Sequence, residues 1–391
     1  RNAAGIRLEL IDPAVPDERL LYWELDPVIP GTEIAHAQYK KIIDDVIAHF
    51  GVEALVISSL IGHALDAFDT GLPTVVVLHD LYPFCPALYG WFGQPCQNCD
   101  RPSLERCLAT NPRNVFWYQD DAAQWLALRE AYAERLAADA VRITAPGRSV
   151  RDRYAALFPT LAGKPCQEIA HGLAGPFRPL QTPERSPEPA RRLRLLVPGR
   201  LMPHKGLHLF SAIVRELTEF ADVLLLGCGD FGLPFRDLPH LEVIPDYPYA
   251  ALQDHVERFA PDCALLLSTL PETFSYTLSE MVALGVPVVA TRLGAFAERI
   301  EDGVDGFLVD PTGESVLGCL RALASERDAL NRVAVALRDR PVRTAAAMVA
   351  DYRALLGLDD PGAEQRLRPG MLAEAVLRQA AARRLLREDR Q

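Results

Sequence analysis

The stretch Ser268–Pro311, STLPETFSYTLSEMVALGVPVVATRLGAFAERIEDGVDGFLVDP, decides the fold. The apolar run Ala264–Leu267 leads into it and reads as a buried strand. A short loop carrying Glu272 follows, and a helix is predicted to start near Ser275 and run through Glu280. Val288–Ala290 is again a strand. Strand, loop, helix and strand in this order form the repeating unit of a parallel α/β sheet, whose ligands bind at the carboxyl ends of the strands. At such a helix start the backbone N–H groups of Phe274, Ser275 and Tyr276 point outward and the dipole favours an anion, so a phosphate fits. Glu272 precedes the helix, where it can face a ligand's sugar. Glu280 lies between one and two turns in and reaches a second polyol. A carboxylate suits both tasks because it can accept hydrogen bonds from two vicinal hydroxyls.

Upstream, Val197–Phe210 reads VPGRLMPHKGLHLF. The strand Arg194–Val197 enters a loop at Gly199, and a helix is predicted from near Gly206. Arg200 and Lys205 sit in that loop, beside the phosphate position. Arg offers a planar fork to phosphate oxygens, and Lys offers a compact point charge. Cations at a helix start oppose the dipole, so a purely structural role is disfavoured for them. Val223–Leu226 and Leu241–Ile244 are further strands. Between them LLLGCGDFG, Leu224–Gly232, reads as a tight strand-to-helix turn. The loop with Asp246 and Tyr247 follows the last of these strands.

The first half repeats the pattern. Ala54–Ser58 and Thr74–Leu78 read as buried parallel strands, Asp120–Ala137 has helical spacing, and Arg142–Ala145 is a strand. Gly175–Arg192 carries Pro176, Pro179, Pro183, Pro187 and Pro189 among charged residues, which excludes helix and central strand. The expected organisation is a domain over 1–178, a Pro-rich linker over 179–192, a second domain over 193–340 and a C-terminal part over 341–391. Pro341–Leu356 is predicted as a closing helix. Two doubly wound α/β domains of this kind leave a cleft between them, and 391 residues suit two or three domains.

Hydrophobic residues make up 49% of the chain and charged residues 24%, as in proteins that bury real cores. The formal net charge of -11 argues against a general nucleic-acid binder, though not against one basic pocket for a diphosphate. No apolar run approaches the ~18 residues of a membrane span, and no signal-peptide pattern opens the chain, so cytoplasmic residence is expected. The first residue is Arg1 rather than Met, from which a trimmed or longer multidomain parent is expected. From Met371, Leu372, Val376, Ala380 and Leu385 can share one helix side, with Arg378, Arg383, Arg384, Arg387 and Arg390 around the rest. Such a helix suits peripheral contact with the inner membrane face or guidance of a lipid-linked acceptor. Its Ala-rich apolar side lacks Trp and Phe and buries little area, which favours docking on protein instead.

Eight cysteines are present, and Cys85, Cys96, Cys99 and Cys107 cluster in sequence. Cys96-Gln-Asn-Cys99 has the spacing of half a zinc site. Reduced thiols, a zinc clip and disulfides compete, in that order of preference without a secretory signal. Either way the loop is expected to cover the cleft and shape a pocket.

PETFSYTLSE resembles the Glu-x7-Glu signature of retaining GT-B glycosyltransferases, above all family 4 (glycosyl transferases group 1). LGVPVVATRLGAFAERIEDGVDGFLVDP is similar to that family's continuation, and Val197–Phe210 resembles its Gly-Arg-…-Lys-Gly segment. The resemblance covers about residues 52–355. It implies the GT-B architecture, two Rossmann-like domains facing each other across a cleft, with the acceptor in the first and a nucleotide-diphosphate sugar in the second. It further implies that Glu272 contacts the donor sugar, that Glu280 contacts the ribose, and that Gly199, Arg200, Lys205 and the N–H groups of Phe274, Ser275 and Tyr276 hold the diphosphate. Asp246 and Tyr247 fall where the family reads the base. His79, at the end of the strand in VVVLHDLYPFCPALYG (Val75–Gly90), falls near the reacting carbon. A lone histidine after an apolar strand is more often structural, but Asp80-Leu-Tyr82 matches the family's style.

The implied chemistry is retaining transfer to a glycan, lipid-linked or other hydroxyl acceptor, in cell-surface polysaccharide or glycoconjugate synthesis. It proceeds by positioning and charge stabilisation, with no metal and no other cofactor required. Two features depart from the family. RNAAGIRLELIDPAVPDERLLYW lacks the family's Gly-Gly loop, so the first domain is expected to lack its first strand or to have it upstream. Ala145-Pro-Gly147 stands where Pro-Ser is common. These departures motivate a rival, a catalytically silent sugar-binding or scaffolding module of a larger polysaccharide-assembly protein. A second rival is a sugar-nucleotide epimerase on the same fold.

Overall fold

The computed structural model describes residues 7–11, 19–97, 99–116, 121–161, 163–180 and 191–358. The chain divides into two compact units. The first comprises Arg1–Ala145, Arg153–Gln167 and Ala350–Gln391, and the second Pro146–Asp152 and Glu168–Val349. The basic tail from Met371 and the core of the Pro-rich stretch, 181–190, lie outside the described residues.

In the first unit, β1 (Arg7–Ile11) and β2 (Arg19–Glu24) form an antiparallel ribbon that pairs only with itself among the described residues. Helix α1 (Ala37–Phe50) is capped by the His36 ring, which accepts from the Tyr39 N–H, and ends at Gly51 with φ of 62°. Strands β3 (Leu55–Ile57), β4 (Thr74–Val77), β5 (Val141–Ala145) and β6 (Cys166–Glu168) make one sheet in the order β6-β5-β4-β3, with β4 parallel to both β3 and β5. All four residues of β4 are buried, as a central parallel strand requires. Helices α2 (Arg101–Thr110) and α3 (Ala122–Ala137) begin at Asp100 and Asp121, whose carboxylates accept backbone N–H bonds. The next helix is α4 (Arg148–Leu157).

The second unit holds a six-stranded parallel sheet. Its strands are β7 (Leu193–Pro198), β8 (Ala221–Leu226), β9 (Leu241–Ile244), β10 (Cys263–Leu266), β11 (Val288–Thr291) and β12 (Phe307–Val309). They lie in the order β9-β8-β7-β10-β11-β12, the doubly wound Rossmann order. Alternate strand residues feed opposite cores. Leu195, Val197, Val223, Leu225 and Leu265 meet α5 (Leu207–Phe220) and, later in the chain, the helix Gly313–Ser325 on one face. Leu196, Leu224, Leu226, Ala264 and Leu266 meet α6 (Leu252–Phe259), α7 (Tyr276–Ala283) and α8 (Ala295–Arg299) on the other. A sheet covered by helices on both faces explains why its strands read as unbroken apolar runs.

The observed division falls at Gln167/Glu168, ahead of the Pro-rich stretch. Residues after β6 already pack in the second unit: Phe177 and Leu180 join its core, and Leu180 N–H bonds the Leu284 carbonyl at 2.9 Å. Prolines mark where regular structure stops, while packing decides where a unit begins. The predicted closing helix forms over Ala345–Leu356, and the division between the units falls inside it.

Phe210 on α5 is fully buried and meets Phe235 edge-on at 5.3 Å between centroids. Phe210→Ala is expected to destabilise the second unit by about 3–5 kcal/mol, whereas Val335→Ala at an exposed position stays within about 0.5 kcal/mol. Urea unfolding of both variants checks this.

Candidate functional site

The strand order of the second unit reverses between β7 and β10, and the loops leaving these two strands face each other there. This switch point is where open α/β sheets bind ligands. The loop after β7 turns at Gly199, φ 87°, and again at Gly206, φ 91°. A Cβ on Gly206 would stand 2.2 Å from the Leu267 carbonyl oxygen, so only glycine lets the loops approach this closely. The loop after β10 is clamped from the other side. Ala295 N–H bonds the Glu272 carbonyl at 2.8 Å, and a Cβ on Gly294 would lie 2.3 Å from the Glu272 carbonyl oxygen, while Thr269 N–H bonds the His204 carbonyl of the loop after β7 at 2.9 Å.

Between the loops is an open pocket lined by Gly199, Arg200, Lys205, Glu272, Ser275 and Thr277 among others. The Lys205 ammonium donates to the Glu272 carboxylate at 2.6 Å, and the Ser268 hydroxyl donates to the same oxygen. The Glu272 side chain is 11% exposed and Lys205 39%, so this pair is better shielded than a surface ion pair. Arg200 pairs with Asp246 at 2.7 Å, both well exposed, so Asp246 meets the Arg200 guanidinium.

Helix α7 starts at Ser275, whose φ of 67° is unusual for serine and whose hydroxyl accepts from Leu278 N–H at 3.2 Å. Among the described residues no protein group accepts from the N–H of Phe274, Ser275 or Tyr276. The turn is held from behind by Arg299, at the end of α8. Its guanidinium donates to the Phe274 carbonyl at 2.5 Å, to the Ser275 carbonyl at 3.1 Å and to the Ser279 hydroxyl at 2.8 Å, and lies 4.1 Å over the Phe274 ring. Burial, with the nearby Arg340 charge, lowers its pKa to about 10, which leaves it charged at neutral pH. The ring of His171 stacks on Tyr276 at 5.4 Å and meets Phe274 edge-on at 4.8 Å.

Glu280 faces Tyr249, whose hydroxyl donates to it. Burial raises the Glu280 pKa, and the tyrosine bond opposes that rise. Tyr247 packs against Gly227, where a Cβ would come within 2.8 Å of its ring. Burial, and then the Glu280 charge, push its hydroxyl up to about 12.

The second unit therefore gathers Gly199, Arg200, Lys205, Asp246, Tyr247, Glu272, Phe274, Ser275, Tyr276 and Glu280 around the exits of its strands. The remaining candidates belong to the first unit. His79 follows β4 and lines a pocket with Ser58, Ser59, Asp80 and Tyr82. Burial lowers its pKa, so the ring is neutral at neutral pH. Asp80 accepts from Tyr82 N–H at 2.7 Å, while burial raises its pKa. Cys85, Cys96, Cys99 and Cys107 are free thiols, not disulfides.

Arg299, His171 and Tyr249 are additions to the residues anticipated from sequence. Arg299 lies within the family-like stretch Leu284–Pro311, but neither its place there nor the positions of His171 and Tyr249 announce these contacts.

Residues 192–325 match the family described as Glycosyl transferases group 1. The stretch includes both loops of the pocket. Over 103 residues the chain is 33% identical to N-acetyl-alpha-D-glucosaminyl L-malate synthase of Bacillus anthracis, covering 26% of each chain. Over 127 residues it is 28% identical to D-inositol 3-phosphate glycosyltransferase of Paenarthrobacter aurescens, covering 30% of this chain and 31% of that one. The matches thus span under a third of these curated relatives. The fold is similar over a wider span to a glycosyltransferase of Rickettsia africae (TM-score 0.58, 15% identity, 82% and 81% of the two chains). It is likewise similar to HepE of Anabaena solved with UDP and glucose (TM-score 0.55, 15% identity, 82% and 81%). The pocket-bearing stretch accordingly resembles the glycosyl transferases group 1, and the chain has the GT-B fold, with a Rossmann-like sheet in each unit.

Proposed function

We propose that the protein is a retaining glycosyltransferase that moves a sugar from a nucleotide-diphosphate sugar to a hydroxyl acceptor, without a metal cofactor. The observation that carries this reading is the Lys205–Glu272 pair in the switch-point pocket, with Arg200 beside it and unsatisfied backbone N–H groups at the start of α7. A diphosphate needs cations and N–H donors, and a sugar needs a carboxylate acceptor for its hydroxyls. The pocket holds both sets.

On this reading Arg200, Lys205 and the N–H groups of Phe274, Ser275 and Tyr276 bind the diphosphate. Glu272 accepts from the donor sugar and Glu280 from the ribose. The acceptor oxygen attacks the anomeric carbon on the face the diphosphate leaves, and its proton passes to the departing phosphate oxygen. The cations stabilise the charge that develops there. His79, as a neutral imidazole, hydrogen-bonds the sugar or phosphate. Arg299 is a positioning residue that fixes the two carbonyls behind the anion-binding turn. Glycan, lipid-linked and other hydroxyl acceptors in cell-surface polysaccharide or glycoconjugate synthesis fit this chemistry. HepE having been solved with UDP and glucose makes UDP-glucose the first donor to try.

Thermal denaturation with UDP-, GDP- and ADP-sugars tests the reading. A true donor at 100 times its Kd adds about 2.7 kcal/mol of stability. NMR of the glycosidic product should give the anomeric configuration of the donor; an inverted product refutes retention. Absence of both stabilisation and transfer with every donor would favour a silent module.

Glu280→Ala is expected to weaken nucleotide binding, while Glu272→Ala chiefly lowers kcat, as calorimetry and initial rates would report. Lys205→Ala and Arg200→Ala should each lose about 10²–10³ in rate. Wild-type rates in all four variants would end the assignment.

The pH profile supplies a further check. Burial holds the folded-state pKa of His79 below the ordinary histidine value, so the neutral ring persists at mildly acidic pH. The rate is expected to fall only as pH drops through that lowered value, and His79→Gln should remove this limb. An unchanged acid limb in the variant assigns it to another group.

A further inference from the structure

The loop that follows His79 carries a cluster that sugar transfer leaves unused. Cys85 lies in the turn after Asp80, Cys96 and Cys99 follow the short ribbon Trp91–Phe92/Gln94–Pro95, and Cys107 sits on α2. The backbone draws them together. Gly90 N–H donates to the Cys85 sulfur at 3.3 Å, and its carbonyl accepts from Cys96 N–H at 2.8 Å. The Asn111 amide bridges the Cys107 sulfur at 3.2 Å and the Trp91 carbonyl at 3.1 Å. Each thiol is within electrostatic reach of another: Cys85 of Cys96 and Cys107, and Cys99 of Cys96 and Cys107.

The surrounding charges are the decisive observation. Arg129 on α3 is 6% exposed and makes no ion pair with a carboxylate among the described residues. Its guanidinium donates instead to the Phe84 carbonyl at 2.7 Å, the Cys99 carbonyl at 3.1 Å and the Cys99 sulfur at 3.2 Å. Arg153 reaches the same loop, donating to the Gly90 carbonyl at 3.0 Å and to the Cys96 carbonyl. A buried guanidinium facing neutral thiols lacks a counter-charge, which is costly. Four thiolates on one divalent zinc carry a net charge of about −2, which two guanidinium groups balance. The N–H···S bonds are the outer support that thiolate ligands normally receive.

We propose that Cys85, Cys96, Cys99 and Cys107 are the ligands of a structural zinc ion in the first unit, with Arg129 and Arg153 as its charge-balancing neighbours. Among the described residues no three such side chains yet converge at coordination distance. Zinc therefore draws the thiols inward, displacing their protons, and ties the segment after His79 to α2. The site is separate from the donor pocket, and its test is independent of transferase activity.

The test is elemental analysis of the full chain, purified under reductant with zinc in the growth medium and desalted. About one zinc per chain is expected, and the double variant Cys96→Ser/Cys99→Ser should retain under about a tenth of that. Since that variant could lose its fold, cobalt exchange into the wild type provides the second measurement. It should yield an intense thiolate-to-cobalt charge-transfer band with the visible bands of tetrahedral cobalt. Zinc-free protein whose four thiols titrate equally fast with and without added zinc overturns the proposal. So does an iron–sulfur chromophore, or a disulfide among the four.

Discussion

Backbone contact between two loops is the constraint on which the switch-point pocket depends. At Gly206 the chain passes so close to the Leu267 carbonyl that no side chain fits, and Gly294 meets the Glu272 carbonyl in the same way. These approaches hold the loop after β7 against the loop after β10, and the loop after β10 against the start of α8. The Lys205–Glu272 pair follows from them, because its partners stand 67 residues apart and meet only where the loops touch. The glycines contribute no charge, yet they set the distance between the groups that do.

Around that contact, polar groups are assigned by burial. Asp262, 2% exposed, is paired with Arg191 and Arg327 and also accepts the Arg194 N–H, so both carboxylate oxygens are engaged. Arg299 is likewise committed to carbonyls and a hydroxyl behind α7. Glu280 is half-buried with the Tyr249 hydroxyl against it, and among the described residues no protein group accepts from the N–H groups of the turn before α7.

Much of this was readable from residue order, since it is local. Unbroken apolar strands followed by loops with Arg200, Lys205 and Glu272 specify a parallel sheet and charged groups at its carboxyl edge. Their strands appear within a residue or two of expectation, for instance Thr74–Val77 for Thr74–Leu78. What escaped reading comes from distant chain. Arg299 reaches back 25 residues to the Phe274 carbonyl, and His171 approaches α7 from before the Pro-rich stretch. No spacing rule encodes such meetings. The N-terminal ribbon was not legible because, among the described residues, its strands pair with each other and not with the sheet.

The Lys205–Glu272 pair also bears on how a turnover cycle would end. Without ligand the ammonium and the carboxylate neutralise each other inside the pocket. A donor's phosphate that recruits Lys205 leaves Glu272 exposed to the sugar, whose hydroxyls take over the vacated lone pairs. Once the sugar has departed, the spent nucleotide still competes for the lysine but brings nothing for the carboxylate. The protein's own ion pair then re-forms in competition with the leaving nucleotide. On the proposed reading, the pocket thus tells a loaded carrier from an empty one by the company Glu272 keeps, and it loosens its hold on the empty one.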